Sequence, residues 1–240
     1  MNNLFMYWVG KKYKLIKILN NIIKIHSKSG NGYTIHMINK KNIGDYIQDI
    51  PIFFDTLSPP HQADIVRVYV IEKYGGIWLD CDTIVLGSLD TLFDMIEHQD
   101  GFFIKENNVT LCNGVFGSKK NTQLMIEWKT QINSILYNNN GQLRWGEIGG
   151  NLLEKMYKNN NNLYSKYNII NGLDTVYPVN WNECVHEFLE KPYDNYKTLK
   201  REYQPIIILV NSVYKYLENN QTKNIINGNM PLNYFLNLSN

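Results

Sequence analysis

The sequence predicts an α/β protein built on a mostly parallel central sheet flanked by helices. Three observations predict it. Residues 4–9 are an apolar run closed by Gly10, residues 13–27 carry apolar side chains at helical spacing, and residues 33–38 resume extended after Gly30-Asn31-Gly32. Strand, helix and strand in that order and at those lengths form a βαβ unit, which requires parallel strands with a helix laid over one face.

The remaining elements follow in chain order. In the first helix Leu15, Ile18, Leu19, Ile22 and Ile23 recur with the 3.6-residue period. Ser58-Pro59-Pro60 opens a second long helix, because a first-turn Pro gives up an N–H that would be unpaired anyway. Ile65, Val66, Val68, Tyr69, Val70 and Ile71 carry it to Tyr74, and Gly75-Gly76 ends it. Residues 77–79 read as a short buried strand that runs into Asp80-Cys81-Asp82, with residues 83–86 continuing extended. A short helix over 90–96, strands over 101–104 and 115–116, and an amphipathic helix over 122–136 come next. Residues 149–157 read as helical, 167–170 and 176–177 as extended, and 206–210 as a late buried strand. With no internal repeat and no linker, residues 1–240 are expected to form a single domain.

Composition bounds the function. A chain of 240 residues, 44% hydrophobic and 19% charged, is long enough to bury a substantial core and is not of disordered composition. A net charge of +2 supplies no concentrated basic surface, so no nucleic-acid partner is expected. Lys11, Lys12, Lys14, Lys17, Lys24 and Lys28 read as a solvated helix face. Cys81, Cys112 and Cys184 are odd in number and lack zinc spacing, which suits a reducing compartment. Residues 4–9 are too short for a signal-peptide core, and 206–210 too short to span a bilayer. The expectation is a soluble, cytoplasmic protein, in which sequons such as Asn108-Val109-Thr110 merely reflect the abundance of Asn.

The chemistry concentrates in residues 58–82, SPPHQADIVRVYVIEKYGGIWLDCD. Two carboxylates one residue apart follow a buried strand. On an extended chain Asp80 and Asp82 share a side while Cys81 points inward. Carboxyl ends of strands are where α/β sheets bind ligands, and two hard oxygen donors there suit Mg²⁺ or Mn²⁺ against a pyrophosphate. Asp64 and Arg67, three apart on the preceding helix, share a face. They read either as a surface ion pair or as a guanidinium fork and carboxylate that hold sugar hydroxyls.

Those residues resemble the sugar-binding DXD region of glycosyltransferase family 32 and of the capsular polysaccharide synthesis type, and are similar to the core of bacterial toxin glucosyltransferases. The shared pattern is filled here by Ala63, Asp64, Ile65, Val66, Arg67, Gly75, Gly76, Trp78, Asp80 and Asp82. The resemblance implies a GT-A, Rossmann-like fold, with a nucleotide-binding half over residues 1–90 and an acceptor half over 91–240. It also implies a nucleotide-sugar donor, best matched by a UDP-sugar, a retaining hexosyl transfer and a glycan or other hydroxyl acceptor. By the same resemblance Trp8 stacks on the base, Asn42 approaches the nucleotide, Asn113 contacts the donor sugar, and Ser212 with Tyr214 stands for a phosphate-contacting pair. Tyr177-Pro178-Val179-Asn180-Trp181 is similar to a Tyr-Pro-x-x-Trp segment read as structural. Ile208-Leu209-Val210 departs from the pattern, offering no His or acidic ligand where the family often has one.

The implied mechanism has Asp80 and Asp82 as metal ligands, Asp64 and Arg67 orienting ribose and sugar, and no identified covalent nucleophile. The alternative is a nucleotide-sugar-binding protein without transfer. A metal-dependent phosphoesterase fits poorly because neither His61 nor His98 has the spacing of a ligand, and no G-x-G-x-x-G supports a Rossmann oxidoreductase.

Overall fold

A computed structural model describes residues 2–106, 110–221 and 225–238. Asn108 and Val109 of the sequon lie outside them. In chain order the elements are β1 (Asn3–Tyr7), α1 (Lys14–His26), β2 (Thr34–Ile38), α2 (Ile43–Tyr46), α3 (Pro59–Tyr74), β3 (Gly76–Leu79), β4 (Thr83–Val85), α4 (Asp90–His98), β5 (Gly101–Glu106), β6 (Thr110–Ser118), α5 (Gln123–Asn138), α6 (Gly150–Asn159), β7 (Tyr167–Asn171), α7 (Gly172–Thr175), α8 (Tyr196–Leu199), β8 (Ile206–Ile208), α9 (Asn211–Asn219) and α10 (Pro231–Leu238).

Alternation along the strands builds the layers. Leu4 and Met6 of β1, Ile77 and Leu79 of β3, and Phe102 and Ile104 of β5 enter one core with α1, α4, α9 and α10. Their neighbours Phe5, Tyr7, Trp78 and Phe103 enter a second core with α3, α5 and α6. A strand period of two thus feeds both faces of the sheet, and helices cover each. Helix α3 is buried nearly all round from Ile65 to Ile71, as an apolar run interrupted only by Arg67 requires.

The six-stranded sheet has the order β2-β1-β3-β6-β5-β7. Strands β1 and β2, β1 and β3, and β5 and β7 pair parallel, while β6 runs against both β3 and β5. The predicted βαβ unit is present, and β6 is the one reversed strand. Its registration with β3 pairs Leu79 with Val115, and the amide of Asp80 then donates to Gly114 O at 2.8 Å. That last bond sets Asp80 beside Asn113.

The chain leaves the sheet at Asp80. Residues 80–83 close a turn, with the Thr83 amide donating to Asp80 O at 3.2 Å, so the two carboxylates are carried on a turn and not on the extended chain the sequence predicts. The cause lies in β4, which pairs antiparallel with β8 in a separate two-stranded ribbon. Cys81 nevertheless points inward as expected, its Sγ set against Tyr7 O at 3.4 Å. Residues 176–177 are not extended either. Their amides both turn back onto Gly172 O, at 2.8 and 2.7 Å, after the single turn α7. The late strand stops at Ile208, and β6 is longer than residues 115–116.

Gly76 holds the junction between α3 and β3 at φ +122°, where a Cβ would stand 2.4 Å from Asn3 O. Both strain and collision act against a side chain. Gly76→Ala is expected to lower stability by more than about 1 kcal/mol, read as a fall in melting temperature. An unchanged melting temperature contradicts this packing of β1 on β3.

Candidate active site

The site is assembled around a buried guanidinium. Arg67 on α3 is 4% exposed. Its Nη2 lies 3.3 Å from Asp64 Oδ1 and 3.4 Å from Asp80 Oδ1, its Nη1 donates to Asn113 O at 2.5 Å, and its Nε donates to Ala63 O at 3.2 Å. The guanidinium carbon stands 5.2 Å over the Trp78 ring. An exposed ion pair at this helix spacing would contribute little, but a buried fork with every branch engaged is a rigid joint between α3, β3 and β6.

Each acid near Arg67 gives up one oxygen. Asp64 Oδ1 also accepts from Asn113 Nδ2 at 2.8 Å, and Asp80 Oδ1 from Trp78 Nε1 at 2.8 Å. Among the described residues, the Oδ2 of each carries no hydrogen bond or ion pair from the protein. Trp78 is fully buried and acts by holding Asp80, not by reaching into the cleft. Gly149 must be bare here, since a Cβ would stand 2.6 Å from both Asp64 oxygens.

Electrostatics follow from the crowding of acids. Burial, then the Asp80 charge, raises the Asp64 carboxyl to about 6, against the lowering effect of Arg67, His61 and the Asn113 hydrogen bond. Burial and the neighbouring Asp80 likewise push Asp82 well above the usual carboxylate range. Asp82 has no ion-pair partner among the described residues, and its carbonyl accepts from the Leu209 amide at 3.0 Å, which ties the turn to β8. Asp80 and Asp82, each with carboxylate oxygen left free of ion pairs from the described residues, are a donor set that suits a hard divalent cation. Among the described residues no third His, Cys, Asp or Glu joins them.

A cleft of about 880 Å³ opens over this cluster, within the range of small-ligand sites. Its walls include Trp8, Asp64, Arg67, Asp80, Asp82, Asn113 and Tyr214 of the residues singled out in the sequence. Trp8 is partly buried, with its Nε1 donating to Lys11 O at 3.2 Å and ring centroids 5.9 Å from Tyr214 and 6.4 Å from Tyr13. Asn42 and Ser212 are not in the walls. The Asn42 side chain is consumed by the β2–α2 turn, accepting from the Asn39 amide at 2.8 Å and donating to Met37 O at 3.1 Å.

Several wall residues escaped sequence reasoning. Glu106 ends β5 as Asp80 follows β3, and burial raises its carboxyl. An acid closing the apolar run Phe102-Phe103-Ile104 was the available signal. Asn211 and Lys215 come from α9, and His61 from the first turn of α3. Trp145 and Trp181 also line the cleft, and Trp181 is 63% exposed.

The fold has known counterparts. A glycosyltransferase involved in the glycosylation of the major capsid of PBCV-1 superposes with a TM-score of 0.52 at 11% identity, over 92% of this chain and 98% of its own. Galactosyltransferase LgtC, solved with donor and acceptor sugar analogs, gives 0.51 at 11% identity over 99% and 95%. Apo GlyE of Streptococcus pneumoniae TIGR4 gives 0.51 at 13% identity over 98% of this chain and 62% of its own. The fold is therefore the GT-A glycosyltransferase fold, with a mostly parallel sheet between helices. The chain belongs to the capsular polysaccharide synthesis protein family, whose profile matches residues 1–226. It is also 38% identical over 69 residues to an uncharacterized protein of Arabidopsis thaliana, covering 25% of this chain and 11% of that relative. The match thus spans a small part of that protein's length. No helix among the described residues is long and apolar enough to cross a membrane.

Removing Arg67 leaves the buried Asp64 carboxyl without its cation, a loss of about 3–5 kcal/mol by analogy with broken buried pairs. The Asp64 carboxyl already sits above its unfolded value, so folding is penalised as pH rises through that interval, and losing Arg67 raises the carboxyl further. Arg67→Ala is thus expected to melt below the wild type without added metal, by a margin that is wider at neutral pH than near pH ~5. A pH-independent margin contradicts the charge balance described.

Proposed function

We propose that this protein is a metal-dependent, retaining glycosyltransferase using a nucleotide-sugar donor, a UDP-sugar, and a glycan or other hydroxyl acceptor. One observation carries the reading: Asp80 and Asp82 share a cleft with the Arg67–Asp64–Asn113 cluster and with the aromatic group of Trp8, Tyr13 and Tyr214. Carboxylates that would hold a cation for the diphosphate, fixed hydrogen-bonding groups for the sugar and an aromatic platform for the base suit such a donor together. The membership of a capsular polysaccharide synthesis family and the GT-A fold support the same reading.

In the reaction the bond from the anomeric carbon to the diphosphate oxygen breaks, the acceptor oxygen bonds to that carbon, and its proton leaves with the diphosphate. Asp80 and Asp82 would hold Mn²⁺ or Mg²⁺. Such a cation supplies charge neutralisation at the leaving diphosphate. Asp64, with Oδ1 fixed by Arg67 and Asn113, turns its other oxygen to a donor hydroxyl. Arg67 works by fixing both acids. Lys215 and the first turn of α9, which brings Asn211 and Tyr214 to the wall, favour the anionic end of the donor. Trp8 offers its ring to the base.

The test is release of nucleoside diphosphate from a panel of nucleotide sugars with Mn²⁺ present. Turnover of at least one donor, abolished by EDTA and by Asp82→Ala without loss of fold, is expected. Full turnover in EDTA contradicts metal dependence. The lack of a third ligand among the described residues favours one alternative, a protein that binds the donor without transfer. Donor-dependent thermal stabilisation with no released diphosphate would establish it.

Trp8 gives a separate check. Stacking of an indole on a base contributes about 1–3 kcal/mol, so Trp8→Ala should weaken UDP by roughly ten- to a hundredfold. Trp8→Phe should recover part. A large fall in melting temperature with UDP affinity unchanged assigns Trp8 to packing instead.

A further inference from the structure

Two indoles stand uncovered on the cleft. Trp145 is 74% exposed and Trp181 63% exposed, whereas Trp78 and Trp128 are fully buried. The other large apolar side chains that are exposed among the described residues, such as Ile52, Tyr137 and Tyr203, lie away from the cleft. Isolated exposed apolar residues need no explanation, but two of the largest side chains left bare along one cleft do.

Neither indole is carried on loose backbone. Arg144 O accepts from His61 Nε2 at 3.1 Å, Trp145 O accepts from Asn151 Nδ2 at 3.2 Å, and the Arg144 amide donates to Glu147 Oε2 at 2.7 Å. On the other segment Asn180 Nδ2 donates to Glu183 Oε2 at 2.9 Å, the Glu183 amide to Asn180 O at 3.0 Å, and Arg201 Nη2 to Pro178 O at 3.0 Å. With the backbone that carries them held in place, the bare indoles lose little backbone ordering entropy on binding a ligand.

The neighbours in the wall define the ligand. Glu106, Asn113 and Asn151 line the same cleft, so flat apolar faces alternate with hydrogen-bonding groups. A pyranose ring matches that alternation: its axial C–H groups make an apolar face, and its hydroxyls project at the rim. A protein partner would call for a broader apolar surround than these polar neighbours provide. A nucleoside base also stacks, but the Trp8, Tyr13 and Tyr214 cluster at the end of β1 and on α9 already offers that platform. The two exposed indoles come from other segments, between β6 and β8.

We propose that Trp145 and Trp181 form a stacking platform for pyranose rings of the acceptor, which makes the acceptor a glycan and not a lone alcohol or a protein side chain. The assignment of these rings to the acceptor rests on the glycosyltransferase reading above. The stacking itself does not.

The experiment follows the indole N–H resonances of isotope-labelled tryptophan while maltohexaose, cellohexaose and chitohexaose are added to the full chain, with UDP and Mn²⁺ titrated in parallel. At least one oligosaccharide is expected to shift the Trp145 and Trp181 signals. Trp145→Ala and Trp181→Ala should each weaken it by about tenfold, as loss of a tryptophan anchor does at interfaces, with UDP affinity unchanged. Trp145→Tyr and Trp181→Tyr should retain part of the affinity. Signals that stay still with all three sugars, or alanine variants that bind as the wild type does, overturn the proposal. Self-association of the wild type in sedimentation, lost in either alanine variant, also overturns it by giving the indoles to a second copy. Sugar binding without any UDP binding supports the stacking but contradicts the transferase reading.

Discussion

A guanidinium that cannot reach water governs the architecture of the site. Burying Arg67 is tolerable only because two carboxylates and two backbone carbonyls surround it, drawn from three parts of the chain. Asp64 and Ala63 belong to its own helix, Asp80 to the end of β3, and Asn113 to β6. The ion pair therefore demands that α3 pack on the sheet in one register, and that β3 and β6 align to the residue. The bare glycines serve the same demand, since a side chain at Gly149 would collide with Asp64, and one at Gly114 would come within 2.9 Å of Asp80 Oδ2.

The same arrangement prepares the chemistry. Because Arg67, Asn113 and Trp78 engage one oxygen of each acid, the orientation of the second oxygen is fixed before any ligand arrives. Asp82 is fixed differently, through the ribbon of β4 and β8 that takes the chain away from the sheet. That ribbon also brings Ile208, Leu209 and Val210 to the cleft and starts α9 there. Burial first, and then the Asp80 charge, raises the Asp64 and Asp82 carboxyls, and a cation held there would relieve that repulsion.

What was legible in the sequence was local. The helix before Asp80 and the strand that leads into it lie within residues 58–82, and periodicity together with Pro and Gly punctuation is enough to place both. Asp64, Arg67, Asp80 and Asp82 were visible for the same reason, and their meeting needed only one helix and one short strand. The turn at residues 80–83 was not visible, because it depends on the pairing of β4 with a strand more than a hundred residues later. Asn42 illustrates a second limit. An Asn after a strand can face a ligand or close a turn, and only the hydrogen bonds to Asn39 and Met37 show that the turn has taken it. Trp145 and Trp181 carry no local signature of the cleft, since the wall they line exists only after the chain has folded, whereas Glu106 was signalled only as an acid that closes an apolar run.

The central claim is that Asp80 and Asp82 hold a divalent cation against a nucleoside diphosphate in the cleft organised by Arg67. Anomalous diffraction from crystals soaked with UDP and Mn²⁺ tests it most directly. The account predicts a manganese peak bonded to at least one of these two carboxylates and to the diphosphate, with the uracil on Trp8. A manganese ion bound elsewhere, or UDP seated away from Asp80 and Asp82, would contradict it.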